Sequence, residues 1–369
     1  MHSVIYDHQI FCQQQYGGIS RYFCELACRV NRSPGFSARV TAPFHVNIHL
    51  AECPVPKTAT YLRNRIPGTG RLCRAADALL SPLFNWADSP SLIHRTYYAP
   101  LRKRGKVPVV ITVFDMIHEL FSDNFPRGDT TSTNKRLGVG NADHIICISE
   151  STASDLVRLF GVDRRKISVT HLGHSPIFQD TPLATESHTN GRPYLLYVGQ
   201  RAGYKNFDSA LKAYASSKLL RDEFDLMAFG GPPFDVTELA TIDNLRLRRD
   251  SVMHRTGADC DLALAYRGAR ALIYPSLYEG FGIPPLEAMS SGCAVTCSGT
   301  SSLPEVVGHA AVLFDPVDIG SIRTALETVG LDDSVRTRLV AAGRERAGHF
   351  SWDRCAAETL AAYRKALTA

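Results

Sequence analysis

The sequence has no long apolar run. Its longest, such as PVVITVF and YLLYV, fall far short of the ~20 residues that a membrane-spanning helix requires. The opening residues, MHSVIYDHQIFCQQQ, contain no basic stretch followed by an apolar one, so no secretory signal is read there. The 10 cysteines form no CxxC pair, and Cys293 and Cys297, four apart, have no CxxC pair to share a metal with. Structural zinc is therefore not expected, and scattered small thiols suit a reduced, cytoplasmic protein. His171 and His174 have no carboxylate or cysteine placed to share a metal with them, so no metal site is read. No GxGxxG follows any strand, which disfavours a dinucleotide-binding dehydrogenase. Repeats and low-complexity tracts are absent as well. The net charge of +5 is modest. It permits an anionic ligand or a membrane surface. Without an aromatic-interleaved basic groove or a zinc knuckle, it gives no reason to expect nucleic acid.

What is present is an ordinary globular composition: 369 residues, 44% hydrophobic and 21% charged. That length suits two domains. Short β-branched runs alternate with helical stretches, the pattern of a parallel α/β architecture. In the first half SVIYD, VPVVITVFD and HIICIS read as buried strands, while ISRYFCELACRV and STASDLVRLF read as helices. Ser149 or Ser151 suits the cap of the second helix. The polar stretch SPIFQDTPLATESHTNGRP reads as a linker over 176–192. Strand and helix signals then resume: YLLYVG, NFDSALKAYASS, FDLMAFGG, DCDLALAYRGA, ALIYPS, PPLEAMSSG and AVTCS. The expected organisation is an N-terminal Rossmann-like domain over 1–177, a second over 190–350, and a C-terminal amphipathic helix over 351–369 that packs back toward the first. Two doubly wound halves facing one another would place a ligand at the carboxyl ends of the strands, in the cleft between them.

Four constellations can carry chemistry. In PSLYEGFGIPPLEAMSSG, Glu279 and Glu287 stand eight residues apart. Pro284 and Pro285 suit the first turn of a helix that carries Glu287. The glycine loop before it offers backbone N–H groups to phosphate, and two carboxylates beside it suit sugar hydroxyls; the plain alternative is two solvated glutamates favoured by the helix dipole. In VGQRAGYKN, Arg201 and Lys205 follow a strand, where two cations can neutralise a pyrophosphate or simply face solvent. In TVFDMIHELF, Asp115 ends a strand and His118 follows three residues later; the His can hydrogen-bond a sugar hydroxyl or serve only the fold. In QQQYGGIS, Gly17 and Gly18 allow close approach to phosphate or form a plain turn, and Arg21 follows one turn into the helix.

The motif YEGFGIPPLEAM resembles the Glu-x7-Glu motif of the family 4 retaining glycosyltransferases, which have the GT-B fold. GCAVTCSGTSSLPEVVGHAAVLFDP, PYLLYVGQRAGYKNF, ICISESTASDL and YGGISRYFCEL continue the family pattern in the same order. The resemblance spans nearly the whole chain and is weaker over about 35–105.

The resemblance implies a fold class, α/β with two Rossmann-like domains and a helix crossing back, and a set of roles. Glu287 would hold the donor ribose, and Glu279 would face the transferred sugar. The backbone of Phe281, Gly282 and Ile283 would contact sugar or pyrophosphate. Arg201 and Lys205 would bind the diphosphate, with Tyr204 standing where a basic residue is commoner. His118 would touch the donor sugar and Asp115 would orient the site. Gly17 and Gly18 would close over donor or acceptor, Glu305 would point toward the donor, and Ser149 would touch donor or hinge. The implied activity is hexosyl transfer with retention, without metal or cofactor. The donor would be a nucleoside diphosphate sugar, GDP-mannose first and a UDP-hexose second. The acceptor would be a glycan or lipid-linked glycan in surface polysaccharide assembly. Arg63, Arg65, Arg71, Arg74, Arg102, Lys103, Arg104 and Lys106 flank Leu62, Leu79, Leu80, Leu83, Phe84 and Trp86. Such a surface suits peripheral membrane contact or is a solvated face. A phosphorylase- or epimerase-like enzyme and a non-catalytic nucleotide-sugar-binding subunit are the alternatives.

Overall fold

The structure, a computed structural model, describes residues 1–63, 68–70, 72–73, 75–77, 79–80, 89–99, 105–180, 191–201 and 203–368. Most of the basic and apolar residues expected at a membrane surface (Arg65, Arg71, Arg74, Leu83, Phe84, Trp86, Arg102, Lys103 and Arg104) lie outside the described residues. The chain divides into two compact units, Met1–Gly173 with Trp352–Ala369, and His174–Ser351.

Among the described residues the first unit holds seven parallel strands: β1 (His2–Tyr6), β2 (Phe36–His45), β3 (Lys57–Tyr61), β4 (Leu92–Arg95), β5 (Val109–Val113), β6 (His144–Cys147) and β7 (Ile167–Val169). Their order is β3-β2-β1-β4-β5-β6-β7. Every residue of β5 and β6 is buried, as expected when helices cover both faces of a parallel sheet. The helix Gly18–Arg32 keeps Tyr22, Phe23, Leu26, Ala27 and Val30 buried, an i, i+1, i+4, i+5, i+8 stripe. Ser149 caps the helix Glu150–Phe160 by accepting from the Thr152 N–H, and Gly161 ends it in the left-handed conformation.

The C-terminal helix Trp352–Thr368 packs on the helix Gly18–Arg32 and on β6. A buried polar chain fastens it. The Tyr363 hydroxyl lies 2.9 Å from the Tyr6 hydroxyl and 2.6 Å from His94 Nδ1, while His94 Nε2 lies 2.9 Å from Thr112 Oγ1. Burial pushes the His94 pKa down from 6.5 to about 3, so the ring is neutral.

The second unit holds six parallel strands: β8 (Tyr194–Val198), β9 (Asp225–Phe229), β10 (Val252–Arg255), β11 (Ala271–Tyr274), β12 (Val295–Ser298) and β13 (Ala311–Phe314). Their order is β10-β9-β8-β11-β12-β13, so the order of strand addition reverses between β8 and β11 while all strands stay parallel. Its core includes Leu195, Tyr197, Leu211, Leu226, Ile273, Ile322 and Leu326. The linker reading needs one correction at its start. Residues Ile177–Asp180 form a helical turn of the second unit, because Phe178 is fully buried with its ring 5.9 Å from that of Tyr266. Residues 181–190 lie outside the described residues.

All ten cysteines are free thiols; Cys260 is exposed, and the sulfurs of Cys28 and Cys53 lie 3.1 Å apart. Among the described residues no helix is long and apolar enough to cross a membrane.

Candidate functional site

In a doubly wound sheet, ligands bind at the carboxyl ends of the strands where the order reverses. In the second unit that point falls between β8 and β11. The segment after β8 carries Arg201 and Lys205, and the segment after β11 carries Glu279. Lys205 Nζ donates to Glu279 Oε1 at 2.7 Å and lies 3.4 Å from the Tyr274 hydroxyl. That hydroxyl itself donates to Glu279 Oε1 at 2.8 Å. Burial first, and the Glu279 charge second, push the Tyr274 pKa well above 10, so it stays a donor. Two residues 74 apart in sequence thus form one ion pair against a buried phenol.

The loops are tied to one another by backbone. Leu277 N–H donates to the Tyr204 carbonyl at 2.8 Å. Asn206 has φ 59°, a left-handed conformation that Asn tolerates better than most residues. Its side-chain amide donates to the carbonyls of Pro275 and Pro316 at 3.0 and 2.8 Å. From the third loop, Ser301 Oγ accepts from the Glu279 N–H at 3.0 Å, and Ser302 Oγ donates to the carbonyls of Glu279 and Phe281 at 2.9 and 2.6 Å. The Glu279 backbone is therefore fixed by residues from β12's end.

Gly282 precedes the helix Ile283–Ser290, whose first turn holds Pro284 and Pro285. Its φ is 129°, and a Cβ there would lie 2.9 Å from Leu303 Cδ2, so the site demands glycine. Pro284 and Pro285 carry no N–H and the Leu286 N–H donates to the Gly282 carbonyl at 3.2 Å, so within its first turn the helix has only the Ile283 N–H to offer an anion. Phe281 contributes backbone only: its side chain is buried, edge-on to Phe350 at 5.8 Å. Glu287 lies inside the helix, 8% exposed, and accepts from the Tyr266 hydroxyl at 3.2 Å.

Arg201 is set differently from Lys205. Only 3% of its side chain is exposed. Nε and Nη2 donate to the two Glu238 oxygens at 2.6 and 3.2 Å, Nη1 donates to the Gly230 carbonyl at 3.0 Å, and the guanidinium lies over the Phe234 ring. Most of its donor capacity is committed to the segment after β9. Glu305 lies in the helical turn Leu303–Val307, and its carbonyl accepts from Arg346.

The remaining residues belong to the first unit. His118 sits on the helical turn Ile117–Leu120 after β5, its ring stacked on Phe125 at 3.9 Å. Burial lowers its pKa; Asp115 opposes that and Lys135 reinforces it. His118 lines a cavity of about 720 Å3 with Glu119, Arg127, Asp129 and Arg136. Asp115 Oδ1 accepts from the Ile117 N–H at 3.0 Å, holding the turn. Gly17 and Gly18 start the helix Gly18–Arg32, where Gln14 Oε1 accepts from the Ser20 N–H at 3.3 Å. Gln14, Lys135, Tyr274, Glu238, Ser301 and Ser302 were not singled out by sequence reasoning. Only Asn206, beside Lys205, carried a legible signal, an Asn at a tight connection.

The family model described as "Glycosyl transferases group 1" matches residues 181–346, and "Glycosyltransferase Family 4" matches residues 16–176. The chain belongs to the family 4, group 1 glycosyltransferases. It is 34% identical to the O-antigen chain mannosyltransferase B of Escherichia coli over 235 residues, a match taking in 60% of this chain and 60% of that protein. Among solved structures, a sucrose-phosphate synthase from Thermosynechococcus elongatus superposes with a TM-score of 0.76 at 18% identity, over 99% of each chain. The Anabaena protein HepE in complex with UDP superposes with a TM-score of 0.72 at 17% identity, over 98% of this chain and 100% of that one. These likenesses establish the GT-B fold.

Proposed function

We propose that the chain transfers a hexose, mannose first, from a nucleoside diphosphate sugar to a glycan or lipid-linked acceptor in surface polysaccharide assembly, with retention at the anomeric carbon. The observation that carries this reading is the Lys205–Glu279 pair at the sheet's reversal point, beside the Gly282 helix start. A leaving nucleoside diphosphate gathers negative charge in the transition state, and a preorganised cation and helix N-terminus stabilise it there. In this reading Lys205 shifts from Glu279 toward the diphosphate, and Glu279 is released to accept from a sugar hydroxyl. Glu287, at hydrogen-bond distance from Tyr266, holds the ribose. Arg201 acts mainly by fixing the loop through Glu238, with its remaining N–H turned to phosphate. His118, neutral near pH 7, touches the transferred sugar, and Asp115 sets its turn. No protein nucleophile is invoked: the acceptor hydroxyl attacks on the face from which the diphosphate departs and gives its proton to the leaving phosphate oxygen.

Mannose is favoured by the likeness to an O-antigen chain mannosyltransferase, and a UDP-hexose is the second donor class, supported by a fold relative bound to UDP. The experiment is a thermal-shift panel with GDP, UDP, ADP and TDP and their sugars, without added metal. Binding to the native state raises the melting temperature by mass action. A shift with GDP and GDP-mannose is expected, followed by transfer to a mannosylated acceptor. No shift with any nucleotide, together with no turnover of any nucleotide sugar, overturns the reading.

A further inference from the structure

Lys135 is a lysine with no solvent exposure at all. It lies on the helix Thr131–Gly140 and reaches back to the turn that follows β5. Its Nζ donates to the Asp115 carbonyl at 2.8 Å and to Glu119 Oε2 at 2.7 Å, stands 3.8 Å from Asp115 Oδ1, and lies 5.3 Å from the centre of the Tyr98 ring. Every one of these partners is on, or packed against, the segment 115–119. His118 is in the middle of that segment.

An ammonium taken fully out of water is costly even when paired, and an apolar residue of similar volume usually stabilises a fold as well or better. A structural role alone gives little reason for a lysine here. The turn Ile117–Leu120 is four residues long, too short to hold its own shape. Lys135 supplies what the turn lacks, tying the Asp115 carbonyl just before it and the Glu119 side chain within it to a packed helix. Glu119 is not there to complete a saturated network, since its Oε1 is buried without a hydrogen-bond partner among the described residues. Its Oε2 serves Lys135.

We infer that Lys135 is the positioning residue for His118: by clamping Asp115 and Glu119 it fixes the direction in which the His118 ring is presented to the transferred sugar. This rests on the functional reading above. A small misplacement of a group near the reacting atoms lowers turnover more than it lowers substrate binding.

The test compares the full chain with Lys135→Met, which leaves Glu119 buried without its cation, and with Lys135→Met/Glu119→Gln, which removes both charges. The double variant is expected to recover most of the melting temperature lost by the single one, yet to keep a kcat reduced about ten- to a hundredfold, with the donor KM little changed. Recovery of wild-type kcat along with stability overturns the inference. A second readout needs no turnover. The charged groups facing His118 are Asp115 and Glu119 from its own segment, Asp129 from the stretch before the helix Thr131–Gly140, and Lys135 from that helix. In histidine-labelled protein, with the signal assigned through His118→Asn, the His118 titration is expected to move upward in Lys135→Met. An unmoved titration overturns the inference too. If no nucleotide sugar is turned over by the unaltered chain while the titration moves, the functional reading fails and the coupling of His118 to Lys135 stands.

Discussion

Lys205 and Glu279 form a 2.7 Å ion pair in which each is the other's partner and Tyr274 is the partner of both. A cation held this way is oriented before any ligand arrives, and oriented charge costs no reorganisation when it is needed.

Replacing it should be expensive. Lys205→Ala is expected to lower kcat by about 10²–10³, measured as steady-state transfer with saturating donor. Because that variant also strips Glu279 of its partner, Lys205→Ala/Glu279→Gln is the control. Turnover near that of the unaltered chain in either variant would remove Lys205 from the diphosphate.

Arg201 should respond in stability as much as in rate. Its guanidinium is spent on Glu238 and on the Gly230 and Pro232 carbonyls, so Arg201→Ala leaves a half-buried carboxylate without its cation, accepting still from the Asp235 N–H, and two carbonyls short of a donor. A loss of about 2–3 kcal/mol is expected, read by urea unfolding. Arg201→Ala/Glu238→Ala should cost less than the two single losses added. Additive losses would mean the pair does not act as a unit.

Gly282→Ala tests the helix start. The left-handed φ and the approach to Leu303 Cδ2 at 2.9 Å predict a loss of about 1–3 kcal/mol together with weaker binding of the donor nucleotide. Calorimetry on the folded variant separates the two effects. Unchanged nucleotide affinity would exclude the Gly282 helix start from the phosphate site.

His94 predicts a pH dependence of stability. Its folded pKa of about 3 lies below the ordinary 6.5, so the unfolded chain binds the proton more readily. The contribution is complete above pH 6.5 and is lost as pH falls from there toward 3. The loss is on the order of a few kcal/mol. Melting temperatures between pH 7.5 and 4.5 should therefore drop, and His94→Asn should flatten that slope. An equal slope in the variant would assign the acid sensitivity elsewhere.

Much of this fold is written in runs of apolar residues. SVIYD, VPVVITVFD, HIICIS, YLLYVG and ALIYPS are strands buried on both faces, and such strands need nothing but continuous hydrophobicity. Half-exposed strands such as β3, with no fully buried residue, leave no comparable trace. Within the site, Glu279, Gly282 and Glu287 were legible because local spacing and helix-start chemistry mark them. Tyr274 and Lys135 were not. A buried Tyr reads as core, and a lysine on an otherwise polar helix reads as solvated, until tertiary structure brings their partners from 5 and 16 residues away. Phe178 was masked by the opposite effect, a single aromatic inside a Pro- and Thr-rich stretch.

The C-terminal helix has a temporal consequence. As the chain emerges during synthesis, the first unit has all seven strands by residue 169 but lacks its last helix until after residue 351. Throughout that interval His94 has no Tyr363, and the face that receives Trp352, Leu360 and Tyr363 is uncovered. The second unit must be made, and can fold, while the first one waits. Chains truncated before residue 352 should accordingly expose the first unit to protease while protecting the second, and the helix Trp352–Thr368 would be the piece that completes the first unit.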